Sequence, residues 1–496
     1  MTADPTERRR AGVLLHLTSL PDSPGHGDLG AAARWFVDWL AEAGFSVWQM
    51  LPLGPTHEDG SPYQTLSVHA GDPQLVDVEA LVEAGWLDRV SPPSTGPSTP
   101  EYAGQWREEC RRAAFQGFQQ RADEETRGEL AEFRQKHRGW LEDFALYSAL
   151  REEQAGAPWW EWPVAERDRE PAAMEAAAER LQATVERVVF EQFCFFRQWG
   201  ALRHHAAERG IALFGDMPIF VALDSADVWA RRDLFDLDEA GHPRRVAGVP
   251  PDYFSETGQW WGNPLYNWER LEEEGFDWWL DRLATQLELF DFLRIDHFRG
   301  LAAYWAIPAE AETALEGHWE PASGHAFLRA VAERFGDVPL VAEDLGVITA
   351  DVEALRDDFG LPGMKILQFA FEGGAANPYL PHNHRTASVV YTGTHDNDTT
   401  AGWLQELDPA VVDRVREYLG HPEESLPEAL VRSALASVAR LAVIPMQDLL
   451  GLSSEHRMNV PGTVEGNWKW RLERDWIPEG RAADLARLNA LYGRTG

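Results

Sequence analysis

Cysteine and lysine are scarce in this chain, and each shortage excludes something. Cys110 and Cys194 are the only cysteines in 496 residues, too few for a disulfide framework and at a spacing that matches no metal motif. Both read as reduced, buried thiols. Lysine occurs only at Lys136, Lys365 and Lys469, so arginine carries nearly all the positive charge, a pattern shared by salt-adapted sources and GC-rich genomes. Basic residues are outnumbered throughout: 45 Lys and Arg stand against 81 Asp and Glu, a formal charge of −36. So acidic a surface repels phosphate backbones and anionic lipid, which argues against nucleic-acid and membrane-surface partners. No uninterrupted apolar run reaches the ~18 residues of a membrane span. Fixed-period repeats are also missing, against solenoids and propellers. Arg8, Arg9 and Arg10 precede the apolar stretch from Ala11 to Leu17 and superficially resemble an export signal, but the stretch is short and interrupted by His16. It reads as the first core strand, and the chain is expected in the cytoplasm.

What is present is a foldable balance of 44% hydrophobic and 25% charged residues, arranged as short β-rich runs separated by long helical stretches. The runs are Val13–Leu17, Val47–Leu53, Ile211–Phe220, Phe292–Phe298, Leu340–Leu345, Lys365–Phe371, Val389–Thr394 and Leu441–Gln447. Several are apolar on both faces, as parallel strands buried under helices are. Between them, Ala32–Ala43 sets Trp35, Phe36, Trp39, Leu40 and Ala43 on one helical stripe, and Ala172–Arg209 reads as a long helical stretch ended by Gly210. Eight strands alternating with helices predict an α/β chain closed as one (β/α)8 TIM barrel over residues 1–496. Two gaps between runs are too long for a single crossover helix. Residues 56–205 form an insertion after the second strand, mainly helical around Trp140–Gln154, with a Pro/Ser/Thr-rich loop at Ser91–Pro100. Residues 221–290 form another after the third strand, with a loop at 248–267 rich in Gly, Pro and aromatics. Long loops in a compact domain usually cover or shape a site.

In such barrels the chemistry sits at the C-terminal ends of the strands. Here those ends carry Asp216 after the third run, Asp296 and His297 in the fourth, Glu343 and Asp344 in the fifth, and His395, Asp396 and Asp398 after the seventh. In the fourth run Arg294, Asp296 and Phe298 share one face by the period of two, so an inward face sets a guanidinium beside a carboxylate and favours its ionised form. Converging acids and histidines leave two readings open, a divalent metal site or glycoside chemistry by a carboxylate and a carboxylic acid. The 22 tryptophans lean toward sugar, since flat rings stack on pyranose faces, although tryptophan also fills cores.

At these residues the sequence resembles the 4-α-glucanotransferases (amylomaltases, or disproportionating enzymes) of the α-amylase clan. The resemblance runs from Gly12-Val-Leu-Leu-His16 to Asn467-Trp-Lys-Trp-Arg471 and is carried in order by Ser61-Pro-Tyr-Gln64, Gly215-Asp-Met-Pro-Ile-Phe-Val221, Gly248-Val-Pro-Pro-Asp-Tyr-Phe254, Arg294-Ile-Asp-His-Phe-Arg-Gly300, Ala342-Glu-Asp-Leu-Gly346, Thr392-Gly-Thr-His-Asp-Asn-Asp398 and Pro445-Met-Gln-Asp-Leu-Leu-Gly451. It implies transfer of α-1,4-glucan segments between maltooligosaccharides, by a retaining double displacement that needs no cofactor and no metal.

By the same resemblance Asp296 is the implied nucleophile, Glu343 the general acid and then base, and Asp396 the stabiliser of the oxocarbenium-like state. Arg294 would orient Asp296, His297 and His395 would donate to the reactive sugar, and Asp216 would support that subsite. Ser61, Tyr63, Asp344 and Asn467 are carried over as further substrate-binding positions. Tyr253 and Phe254, with Gln259 and Trp261 just after them, match the aromatic loop implied to hold the acceptor and exclude water. The chain departs from the family where His57-Glu-Asp-Gly60 replaces the usual Gly-Tyr-Gly-Asp, which removes an aromatic and puts a preference for very long glucans in question.

Overall fold

A computed structural model describes residues 8–89, 91, 100–251, 255–463 and 465–495. In chain order its strands are β1 (Arg10–Leu14), β2 (Val47–Gln49), β3 (Ala212–Pro218), β4 (Arg245–Val249), β5 (Gln259–Pro264), β6 (Phe292–Asp296), β7 (Ala303–Pro308), β8 (His318–Pro321), β9 (Leu340–Ala342), β10 (Gly363–Ile366), β11 (Ser388–Tyr391) and β12 (Leu441–Pro445). Eight of them form one parallel sheet in the order β10-β11-β12-β1-β2-β3-β6-β9. The Ala342 N–H donates to the Pro362 carbonyl at 2.9 Å, and this bond brings β9 to the start of β10 and closes the sheet into a barrel. The barrel strands are buried almost throughout, which is why they read as continuous apolar runs rather than alternating ones.

Each of the eight apolar runs overlaps one barrel strand, with shifted ends. The first strand begins at Arg10, earlier than Val13, and Leu17–Ser19 is a short 3-10 turn. A charged residue can start this buried strand because its guanidinium lies over the Phe292 ring, 5.2 Å from the centroid. At the other ends the apolar runs outlast the ladder, since the chain stays buried as it turns over the barrel mouth. Phe298 shows the effect. The fourth barrel strand ends at Asp296, His297 turns at φ +51°, and Phe298 opens a 3-10 turn, so it does not share a strand face with Arg294 and Asp296.

Helices cover the barrel. Ala31–Glu42 buries Phe36, Val37, Trp39 and Leu40, each aliphatic side chain contributing about 1.5–3 kcal/mol by leaving water. The long helical stretch is two helices, Pro171–Arg180 and Gln182–Glu208. Between β2 and β3 lie further helices, including Pro100–Arg121, Glu124–Lys136 and Arg138–Glu153; most of the Ser91–Pro100 loop lies outside the described residues. The stretch between β3 and β6 carries helices too, but also β4 and β5. These pair antiparallel with each other and, through β7, with β8 in a four-stranded sheet ordered β5-β4-β7-β8. Its strands are short, partly exposed and broken by Gly248, Gly262 and Pro264, so they lack the apolar signature of the barrel. No described helix is long and apolar enough to cross a membrane.

Candidate active site

The C-terminal ends of β3, β6, β9 and β11 converge on one buried cation. Register sets Asp216 opposite Arg294 and Pro218 opposite Asp296, so the Arg294 guanidinium falls between two carboxylates. It meets Asp216 Oδ2 at 2.5 Å and Asp296 Oδ1 at 2.7 Å. The fork of donors in a guanidinium suits this bridge, which an ammonium could not span in the same geometry. Asp216 Oδ2 also accepts from the Tyr63 hydroxyl at 2.7 Å, and Tyr63 Oη lies 2.8 Å from His395 Nε2. A phenol has one proton, so with that proton on Asp216 the oxygen accepts from His395 Nε2–H. The same Nε2 lies 3.2 Å from Asp396 Oδ1, which also accepts from Asn459 Nδ2 at 2.6 Å. One polar circuit thus runs Asp296–Arg294–Asp216–Tyr63–His395–Asp396–Asn459 across the mouth.

Glu343 stands beside this circuit. Ile295 pairs with Ala342 across β6 and β9, so the next residues, Asp296 and Glu343, leave neighbouring strand ends together. The His297 N–H donates to Glu343 Oε2 at 2.8 Å and the Leu345 N–H to Oε1 at 3.1 Å. Burial pushes Glu343 up to about 8, with the Asp296 and Asp344 charges adding and Arg294 opposing. Burial also pushes Asp296 up to about 7, against the pull of Arg294 and with Asp216 and Asp396 adding. The Asp296 side chain keeps 28% of its exposure, so water tempers its rise. What separates the two acids is the cation: Asp296 pairs directly with Arg294, which favours its ionised form, while the bonds to Glu343 come from backbone N–H groups.

The remaining expected residues fall into four groups. His297, Gln259 and Trp261 stand together: the Trp261 ring meets the His297 ring edge-on at 4.8 Å and donates through Nε1 to Gln259 Oε1 at 3.0 Å. Burial, with Arg299 adding, pushes His297 down to about 3, and its Nε2 is buried with no hydrogen-bond partner. Ser61 acts on Tyr63 through the turn they share, its Oγ accepting from the Tyr63 N–H at 3.4 Å. Two further expected residues have partners within the chain. Asp344 is 5% exposed, and its oxygens accept from Arg356 at 2.5 Å and from the Met364 N–H at 2.7 Å. A Cβ on Gly363 would stand 2.2 Å from Asp344 Oδ2, so glycine is required for this contact. Asp344 therefore joins β9 to β10. Asn467 closes its own loop, accepting from the Val460 N–H at 2.9 Å and donating to the Thr463 carbonyl at 2.8 Å. Tyr253 and Phe254 lie outside the described residues.

Three residues of this site escaped the sequence reading. Asn459 holds the Asp396 side chain, Arg457 donates to its backbone carbonyl at 3.1 Å, and the Trp468 ring lies 5.9 Å from Tyr63 and 6.1 Å from His395. They belong to an irregular loop after β12, where a search along strand ends does not look. The one available signal was a tryptophan beside Asn467. As for a metal, among the described residues no cluster of three or more His, Cys, Asp and Glu is arranged to hold an ion. The position central to the acids is filled by Arg294.

A family model described as 4-α-glucanotransferase matches residues 15–475. The chain belongs to that family. A 4-α-glucanotransferase of Thermus thermophilus is 52% identical over 474 residues, covering 94% of this chain and 95% of the relative. One from Synechocystis is 47% identical over 497 residues, with 98% of each chain covered. The amylomaltase of Streptococcus agalactiae, solved in complex with acarbose, superposes with a TM-score of 0.94 at 37% identity, covering 98% of this chain and 100% of that one. The chain is thus a glucan-transferring enzyme built on a glycoside-hydrolase type of fold. Its reaction moves a segment of 1,4-α-glucan to the 4-hydroxyl of an acceptor glucose or glucan.

Proposed function

We propose that the transfer runs as a retaining double displacement on Asp296 and Glu343. Asp296 attacks C1 of the bound glucose unit, the C1–O4 bond breaks, and Glu343 gives its proton to the departing 4-oxygen. In the second half Glu343 takes a proton from the acceptor's 4-hydroxyl, whose oxygen attacks C1 and releases Asp296. The observation that carries this is the adjacency of the two carboxyls combined with the ion pair to Arg294 that holds Asp296 as the carboxylate. Neighbouring strands lie about 4.8 Å apart, and Asp296 and Glu343 leave adjacent strands in register, which suits the short carboxyl separation of about 5–5.5 Å used for retention.

Asp396 opposes the positive charge that develops at C1, and the Asn459 and His395 contacts keep its carboxylate aimed. His297, neutral and with an unpartnered Nε2, supplies a hydrogen bond to a sugar hydroxyl, and His395 and Tyr63 line the same subsite. Tyr253 and Phe254, with Gln259 and Trp261, hold the acceptor and keep water poorly placed, so that sugar and not water resolves the intermediate. The substrates are maltooligosaccharides and longer α-1,4-glucans, and the reaction belongs in the cytoplasm. Incubation with maltotriose alone, followed by chromatography, tests the reading: a ladder of longer maltodextrins with released glucose is expected. Glucose and maltose without a ladder would mean hydrolysis and would remove the water-exclusion role.

A further inference from the structure

Asp396 sits in a loop whose two ends are held by one carboxylate that the mechanism above does not use. Thr392 follows β11 directly, and Thr400 opens the helix Thr400–Glu406. Asp448 lies in the short helix Met446–Leu449 that follows β12, the strand paired with β11. Its Oδ2 accepts from the hydroxyls of both Thr392 and Thr400, the second at 2.7 Å, and its Oδ1 accepts from the Thr400 N–H at 2.7 Å. Thr392 and Thr400 are therefore brought to a single oxygen. The chain between them, with His395 and Asp396, is drawn into a loop closed at its base.

Asp448 is 3% exposed, and among the described residues no cation pairs with it. Burial pushes its carboxyl up, the bonds from Thr392 and Thr400 oppose, and Asp398 adds. A buried carboxylate without a cation must be compensated by hydrogen bonds, and bonds to a charged acceptor are about twice as strong as neutral ones. The loop has little else beneath it. A cavity of about 30 Å³, large enough for water, lies between the loop and the strand ends, with His16, Thr394, Asn397 and Gln447 on its wall. The underside is not close-packed, so the height of the loop over the barrel is set at its base. Above, Asp398 Oδ2 accepts from Ser454 at 2.8 Å, and Asp396 accepts from Asn459 and Arg457. Those three partners stand on the irregular segment after β12, whereas Asp448 stands within one turn of the strand itself.

We propose that Asp448 is a positioning residue for the transfer reaction: by closing the loop from Thr392 to Thr400 at its base, it fixes Asp396 where its carboxylate meets the charge developing at C1. The inference rests on the stabilising role given to Asp396 above. Asp448 acts through the loop and needs no contact with the sugar. A loosened base leaves Arg294, Tyr63 and His297 in place to hold the substrate while Asp396 loses its aim. The loss then falls on the transition state and not on the ground state.

A double-substitution cycle on the full-length protein tests this, read as fluoride released from α-maltosyl fluoride with glucose as acceptor. Asp448→Asn keeps the shape of the side chain but gives up its charge and one acceptor oxygen. It should lower kcat about tenfold with KM within about twofold of wild type. In a protein that already carries Asp396→Asn, the same change should cost less than about twofold more, because the loop then has no charge to aim. A merely structural role predicts equal losses in both backgrounds. Thr392→Val removes one of the two hydroxyls with little change of shape and is carried through the same two backgrounds, so it serves if the buried Asp448→Asn fails to fold. Its kcat should fall about fivefold, the worth of one hydrogen bond, and Thr392→Ser should recover it. Equal losses with and without Asp396→Asn, or wild-type kcat in either Asp448→Asn or Thr392→Val, overturn the proposal. If Asp396→Asn alone leaves kcat unchanged, the role of Asp396 itself fails, and the proposal falls with it.

Discussion

The two ends of the barrel use arginine in opposite ways. At the base, Arg494 is fully buried and its guanidinium is saturated by main-chain carbonyls of Arg10, Ala434, Leu435, Ser437, Ala439 and Arg440. It needs no carboxylate, and it ties the C-terminal tail to the starts of β1 and β12. At the mouth, Arg294 is nearly as buried but stands among Asp216, Asp296 and Glu343, acids it does not fully neutralise. Asp216 Oδ1 and His297 Nε2 remain buried there without hydrogen-bond partners, and His297 turns through a left-handed conformation. The base is arranged for satisfaction, and the mouth keeps charge and hydrogen-bonding capacity in reserve for a substrate.

Substitutions can break this contrast from either side. The largest effect belongs to the mouth: Asp296→Ala should lower maltotriose turnover by at least about 10³-fold with the fold intact by circular dichroism. Turnover close to wild type would remove Asp296 from the chemistry. At the base, Arg494→Ala should cost roughly 3 kcal/mol, since it strips several charge-assisted bonds and leaves carbonyls unpaired. A denaturant titration measures this, and kcat should not change. A shift in kcat with no loss of stability would contradict the division between the ends. Smaller again is Asn459→Ala, which frees Asp396 without removing it. Roughly tenfold lower kcat with little change in KM is expected, about 1.4 kcal/mol of transition-state stabilisation. An increase in KM alone would place Asn459 in ground-state binding.

The remaining effect has the opposite sign. Glu343 has a folded-state value of about 8 against an ordinary 4.5, so the unfolded chain loses this proton first as pH rises. The carboxyl therefore opposes folding progressively from about pH 4.5 to about 8, and it is neutral to stability below that window. Glu343→Gln should raise the melting temperature at pH 8 but not at pH 4, while abolishing transfer. A variant equally stable to wild type at both pH values would mean that burial does not raise this acid. The pH profile of kcat/KM should likewise be bell-shaped, with both limbs displaced above the ordinary carboxylate range because burial raises both acids of the coupled pair.

How much of this was legible in the sequence follows the same division. The barrel strands showed because parallel strands buried on both faces must be apolar, and Asp296, Glu343 and Asp396 showed because they terminate such runs. Arg10 as a strand start did not, since its burial depends on the distant Phe292 ring. The sheet β5-β4-β7-β8 did not, because half-exposed strands with glycine and proline resemble loops. Nothing in residue types could reveal Arg494 as an anchor: its acceptors are backbone carbonyls, which every residue has. Asn459 and Arg457 were hidden for a related reason, as the loop that carries them is placed by folding and not by periodicity. Asp344, adjacent in sequence to Glu343, looked like a second acid of the site, yet alternation along the chain turns it away toward Arg356 and β10.

The most direct test of the proposed mechanism is mass spectrometry of the protein after reaction with a fluorinated α-maltosyl donor, which forms a glycosyl-enzyme faster than it releases it. A sugar adduct on the peptide that contains Asp296, and absent from the peptides that contain Glu343 and Asp396, is the predicted result. An adduct on either of those peptides, or none at all while the donor is consumed, would contradict it.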